Sequence, residues 1–399
     1  MKVAVPVSAR PEWKVSRSKW LFVREQRTVT ATDEIITAFR DGQVTLRSNR
    51  RMEGFTNALQ EIGYQGIRKG DLVIHSMDGF AGAIGVSDSD GKASPVVNAY
   101  SPREGGEPRY YAYVLRELAR SGFITSLAKG IRERSTAFDN EMFRSLMLPS
   151  PPLDEQRAIA DFLDAETARI DALMEKKQRM LQLLDERFRV LVDDVAKTLP
   201  FECPIKRVGT VTYGLGQPPA PADAGVPIIR ATNIDRGVIS TADLVFANQD
   251  ELPWDRCPPL RLGEILVVRS GALTGDSAMV TSDWIGAAPG YDLRVTPQSI
   301  VPAALAFQLL GTDYSRQIDL VRSRAAQPHL NADDLGNIVV RRGTQDEEEH
   351  ASQVILRASS TRNRLSSLVQ TQIGLLTEHR RGVITAAVTG ELTIAGVAA

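Results

Sequence analysis

The segment beginning at Ser150, SPPLDEQRAIADFLDAETARIDALMEKKQRMLQLLDERF, constrains this chain more than any other. After a proline cluster, apolar residues recur in a heptad-like stripe at Ile159, Leu163, Ile170, Leu173, Met180, Leu184 and Leu191. Glu166, Lys177 and Arg187 fall on the same seam and interrupt it. Pro200 is the first residue that must stop the helix, so the spacing predicts one helix of about forty-five residues, roughly 65 Å long. Such a rod needs a partner helix to cover its stripe.

The C-terminal stretch TQDEEEHASQVILRASSTRNRLSSLVQTQIGLLTEHRRGVITAAVTGEL supplies the partner. Sliding it back by about 190 residues puts Asp346 on Asp154, Glu347 on Glu155, Leu365 on Leu173 and Leu376 on Leu184. Ile355 lies on the same helix. Thr344 with Glu347 forms a capping-box pattern, the acidic run suits the positive end of the helix dipole, and Gly390 marks a stop. The expected pairing residues are Ile159, Leu163, Ile170, Leu173, Leu184, Ile355, Leu365 and Leu376.

Upstream of each helix the same repeat continues. IRKGDLVIHS from Ile67 matches LRLGEILVVRS from Leu260, with Gly70 on Gly263 and Asp71 on Glu264. In both, a turn precedes a β-branched, apolar run that reads as a strand, and glycine-rich turns follow, DGFAGAIGV and SGALTGDSAMV. The chain therefore reads as α/β, in the order domain, helix, domain, helix. The expected divisions are 1–149 for the first domain, 150–197 for the central helix, 198–342 for the second domain, 343–391 for the C-terminal helix and 392–399 for a tail.

Several function classes find no support in the residues. There is no GxxxxGK[ST] loop, GxSxG elbow or HExxH pair, and GLGQPP at Gly214–Pro219 lacks the glycine spacing of a dinucleotide loop. His75, His329, His350 and His379 are scattered, so no metal site is expected. Two cysteines, Cys203 and Cys257, form no disulfide framework and suit a reducing compartment. No uncharged apolar run is long enough for a membrane span, and the expected location is cytoplasmic.

A net charge of −1 hides local basic clusters. Between Arg10 and Lys69, arginines and lysines including Arg27, Arg40, Arg47, Arg50 and Arg51 outnumber acids and interleave with Trp13, Trp20 and Phe22. Phosphates need cations, and base edges need Arg, Asn, Gln or Ser. The candidate DNA-contacting residues in the first domain are Arg47, Asn49, Arg50, Arg51, His75, Ser76, Arg132 and Arg134. In the second they come from IIRATNIDRG, VVRSGALTG and VRSRAAQPHLN: Arg230, Thr232, Asn233, Arg269, Ser270, Arg322, Arg324, Gln327 and His329. The same residues also suit turn capping and a solvated charged face.

The run LPSPPLDEQRAIADFLD, followed by IDAL and LLDERF and echoed as DEEEHASQVI, IGLLTEHR and AAVTGEL, resembles the specificity subunit of type I restriction-modification enzymes. VPIIRATNIDRGVI and RAAQPHLNADDLGNIVV are similar to that family's target recognition domains. The resemblance implies two tandem globular target recognition domains joined by two long antiparallel coiled-coil helices with a pseudo-twofold repeat. It implies a noncatalytic reader of a split, asymmetric target in double-stranded DNA, with the rod as a ruler. It further implies docking of two modification (methyltransferase) subunits and two ATP-driven restriction subunits. S-adenosylmethionine, ATP and Mg are then expected in the partners, with no cofactor in this chain and no membrane contact. The second helix start, VVRRGTQDEEEH, departs from the family pattern by lacking the prolines and the Glu-Gln pair, and RSTAFDNEMF lacks the Gln-Pro-x-Leu of the second domain. A coiled-coil scaffold that joins proteins without touching DNA is the alternative, and a nuclease or methyltransferase acting alone is a third.

Overall fold

The computed structural model describes residues 3–4, 10–50, 62–127, 138–217, 219–322 and 329–394. Contacts divide the chain into two compact units, Met1–Glu175 with Gln372–Ala399, and Lys176–Thr371. The division falls inside both long helices rather than at the domain boundaries expected from sequence, because opposite ends of each helix contribute to different cores.

In the first unit, a four-stranded antiparallel sheet runs Phe22–Arg24, Val97–Pro102, Leu72–His75, Ile84–Val86. Strand Leu72–His75 follows Gly70, whose φ of 91° is available to glycine at little cost. A second sheet pairs Leu146–Ser150 with Lys14–Arg17 and with Val3–Ala4. Helix Pro108–Arg120 begins with proline at its first turn and buries Tyr110, Tyr111, Leu115 and Leu118. Those side chains form one core with Tyr100, Phe143, Ile159, Leu163, Ala387 and Val388.

The second unit holds a four-stranded antiparallel sheet with the corresponding strand succession, Gly209–Tyr213, Leu293–Pro297, Ile265–Val267, Ser277–Met279. Strands Val245–Ala247, Val226–Ile229 and Ala288–Pro289 form another sheet, and Phe201–Pro204 pairs with Val339–Arg342. Its main core gathers Ile205, Ile265, Leu293, Leu305, Ile318 and Leu335.

The central helix spans Leu153–Ala196 and the C-terminal helix Gln345–Val388, 44 residues each. Thr344 and Glu347 form the expected capping box: the Glu347 N–H donates to Thr344 Oγ1 at 3.4 Å, and the Thr344 N–H to Glu347 Oε2 at 2.8 Å. Gly390, at φ 77°, follows the last turn. Within the first unit, Ile159 and Leu163 share a core with Ala387 and Val388, and farther along Arg380 grips Asp171 through two hydrogen bonds of 2.8 and 3.1 Å. Within the second, Arg362 pairs with Asp185 at 3.5 Å and lies over Phe188, while Phe188 and Val192 pack with Ile355. Numbers rise along one helix as they fall along the other in both places, so the helix segments in each unit are antiparallel.

Of the expected pairing residues, Ile159, Leu163, Ile170 and Ile355 are buried, and Leu184 and Leu376 half-buried. Leu173 and Leu365 depart from the expectation, being 40% and 36% exposed. No helix among the described residues is long and apolar enough to cross a membrane.

Candidate nucleic-acid interface

In the first unit, an open cleft is lined by Arg40, Arg47, Arg50, Tyr64, His75 and Asp78 among others. The hairpin of Ile36–Ala38 and Val44–Leu46 turns through Gly42 at φ 92°, which presents Arg40 and Asp41 at its tip. The Arg50 guanidinium lies 4.1 Å from the Phe39 ring centroid and pairs with Asp41 at 2.7 Å, while Arg40 pairs with Asp78 at 2.8 Å. Arg47 Nε donates to Thr37 Oγ1 at 3.4 Å, and Asn49 Nδ2 to Thr45 Oγ1 at 3.0 Å. His75 Nδ1 accepts the Asp78 N–H at 3.1 Å, and burial holds its imidazole below the ordinary histidine range despite the pull of Asp78. Ser76 is anchored through its backbone: its N–H donates to Val96 and its carbonyl accepts from Phe138. Arg51, Arg132 and Arg134 lie outside the described residues.

Other members of the N-terminal basic cluster serve the fold. Arg27 makes a two-pronged contact with nearly buried Asp71, and Arg10 donates to the Gly390 and Leu392 carbonyls. Trp13 and Phe22 are core residues, whereas Trp20 is exposed beside Arg17 and Lys19. Charge counting does not separate these roles, because a carboxylate brought close by folding commits a cation that sequence shows as free.

The second unit assembles a site at one end of its four-stranded sheet. Register places Tyr213 and Val267 both opposite Leu293, so Tyr213, Arg269 and the Tyr291–Asp292 pair arrive together. The Arg269 guanidinium lies 4.9 Å from the Tyr213 ring centroid and 4.3 Å from that of Tyr291. Buried Asp292 accepts the Arg269 backbone N–H at 3.1 Å and is also bonded by the Ala231 backbone. Burial raises the Asp292 carboxyl above its ordinary range, with those N–H groups and the Arg269 charge pulling the other way. Ser270 forms an antiparallel bridge with His329, and the Leu330 N–H donates to the Arg269 carbonyl at 2.8 Å. Four segments remote in sequence thus meet at Arg269.

Thr232 is exposed near this cluster, and Arg230 donates through Nη2 to the Asp243 carbonyl at 2.6 Å. Asn233 is a correction to the sequence reading. It is fully buried, its Oδ1 accepting the Arg230 N–H and its Nδ2 donating to the Ser240 and Ala242 carbonyls, so it builds the turn and cannot reach a base. Arg322 pairs with Asp319 and lines a separate cleft with Asp185, Arg236, Asp276 and Arg362. Arg324 and Gln327 lie outside the described residues. Tyr213 and Tyr291 are not among the residues expected from sequence; the signal they carry there is that each sits beside a glycine near a strand boundary. No group of metal-ligating side chains occurs among the described residues.

No protein-family model and no curated protein matches the chain. Among solved structures, it is similar over 97% of its length to the whole of a chain described under "Structural basis underlying complex assembly and conformational transition of the type I R-M system", with TM-score 0.70 and 15% identity. Two further matches are the S subunit of a type I restriction-modification system from M. genitalium, at TM-score 0.43 and 12% identity, and the HsdS subunit from Thermoanaerobacter tengcongensis, at 0.46 and 18%. These cover 96% and 97% of this chain and 99% of each of theirs. In fold, this chain is similar to a chain solved as part of a type I restriction-modification system.

Proposed function

We propose that this chain is the DNA-reading specificity subunit of a type I restriction-modification complex. The observation that carries the reading is the near-complete fold match to a chain solved within such a system. Two sheet-end clusters, one around Arg47 and His75 and the other around Arg269, support a target read in two parts. The like strand successions support a two-copy, pseudo-twofold chain of tandem recognition domains. The long helices would set the gap between the two parts of the target, and half-sites read from one face of B-DNA lie about 10 to 10.5 base pairs apart or a multiple of that.

The chain itself carries no chemistry in this reading. Methyl transfer from S-adenosylmethionine belongs to two modification subunits, and ATP- and Mg-dependent cleavage to two restriction subunits, all in the cytoplasm. Exposed apolar side chains on the helices of the second unit, Met180, Leu183, Val190, Leu356 and Leu368, suit protein docking there.

The test is co-purification with the products of neighbouring genes, followed by mapping of methylated adenines in DNA exposed to the complex. A split motif with a fixed gap, lost when this chain is omitted, is the expected result. Stable partners with neither methylation nor DNA retention would replace this reading with the scaffold.

A further inference from the structure

We propose that Arg269 is the guanine-reading residue of the second unit, held in reading orientation by Tyr213 and Tyr291. The inference rests on the DNA-reading function above and names the residue and base through which that site discriminates.

Three observations converge. First, the Arg269 guanidinium contacts two tyrosine rings, and the tyrosines are themselves 48% and 45% exposed, so the cradle lies at the surface. A guanidinium stacked on aromatic faces keeps its N–H donors in its own plane, where they match a planar two-acceptor edge. Second, the terminal donors are uncommitted: among the described residues no acceptor bonds the guanidinium, and because its Nε is buried, the edge left for a base is that of the two Nη groups. The adjacent carboxylate does not claim them, since Asp292 is bonded by the backbone N–H groups of Arg269 and Ala231.

Third, the cradle is built tightly. A Cβ at Gly214 would lie 2.1 Å from the Gly290 carbonyl oxygen, so only glycine permits the loops that follow Tyr213 and precede Tyr291 to pass so closely.

Guanine presents O6 and N7 as paired acceptors in the major groove, the commonest partner of a forked arginine. A phosphate contact requires charge but no such orientation. The surroundings favour the base edge: Thr232, Ser270 and two tyrosines are neutral, and Arg230 is turned to the Asp243 carbonyl.

The experiment selects bound sequences from a randomised duplex pool with the full chain, comparing wild type with Arg269→Ala, Arg269→Lys, Tyr291→Ala and Tyr291→Phe, each checked by thermal unfolding. Wild type is expected to enrich a split motif. Arg269→Ala and Arg269→Lys should lose a guanine preference of about ten- to a hundred-fold at one position, leaving the other part of the motif intact. Tyr291→Ala should weaken the same preference and Tyr291→Phe retain it. An unchanged motif, or an equal loss of affinity for every sequence, would overturn the assignment while leaving the DNA-reading function standing. Failure of the wild type to enrich any motif would overturn both.

Discussion

Glu348 does in the second unit what Gln156 does in the first. Each is the fourth residue of its long helix, and each accepts the backbone N–H of the residue preceding a proline-started helix: Glu107 to Gln156 Oε1 at 3.0 Å, Val301 to Glu348 Oε2 at 2.7 Å. The second helix start lacks the glutamine of the first, yet its anchor is retained through a different side chain.

The remaining partners explain why the two side chains differ. Gln156 Nε2 donates to the Gly105 and Pro151 carbonyls, whereas Glu348 Oε1 accepts the Gly343 N–H. Gln156→Glu would set a carboxylate against two carbonyls, and Glu348→Gln would face an amide NH₂ toward an N–H. Each exchange should destabilise its own unit by about 1–3 kcal/mol, the usual cost of an unsatisfied buried group. Urea unfolding of the full chain measures it; no change in either variant would show that the anchors are dispensable.

Arg294 and Glu264 form a buried ion pair at 2.6 Å, with side chains 7% and 4% exposed. Thr296 and the Arg261 N–H complete the carboxylate, and the Pro258 and Pro259 carbonyls take further guanidinium donors. Glu264→Ala strands a buried cation and should cost about 3–5 kcal/mol. A joint replacement of Glu264 and Arg294 by apolar residues should recover part of that loss in the same unfolding assay.

Exposure distinguishes residues of the helix pair. Ile355, buried against Phe188 and Val192, should lose about 2–4 kcal/mol on truncation to alanine, whereas the exposed Leu365 should change stability by less than about 0.5 kcal/mol. Equal effects in thermal unfolding would contradict the observed seam.

His75 links stability of the first unit to pH. Its folded pKa lies below the unfolded value of 6.5, so the unfolded chain binds more protons as pH falls below 6.5. Stability from this residue is present above 6.5 and lost as pH falls toward the depressed folded value. His75→Asn, which keeps an acceptor for the Asp78 N–H, should flatten the pH dependence of unfolding below the unfolded histidine value of about 6.5.

Duplex binding by the chain should fall steeply with salt. A reader contacting six to ten phosphates loses roughly 10³–10⁵ in affinity between about 50 and 200 mM salt. Fluorescence anisotropy with a labelled duplex measures the slope, and a flat response would argue for a scaffold.

What the sequence by itself determined is local. Periodicity and Pro200 announce the central helix, Thr344 and Glu347 the start of the C-terminal one, and Gly70 and Gly263 the turns before their strands. Each is legible because backbone sterics and short-range hydrogen bonds decide it within a few residues. Tertiary structure alone decided which polar groups are free: it buried Asn233 in a turn, gave Arg27 to Asp71, and turned Leu173 outward while keeping Leu163 inside. It also brought Tyr213, Arg269 and Tyr291 together, because strand pairing joins chain segments that no periodicity connects. A side chain's chemistry is written in its type, but its availability depends on neighbours that only the folded chain supplies.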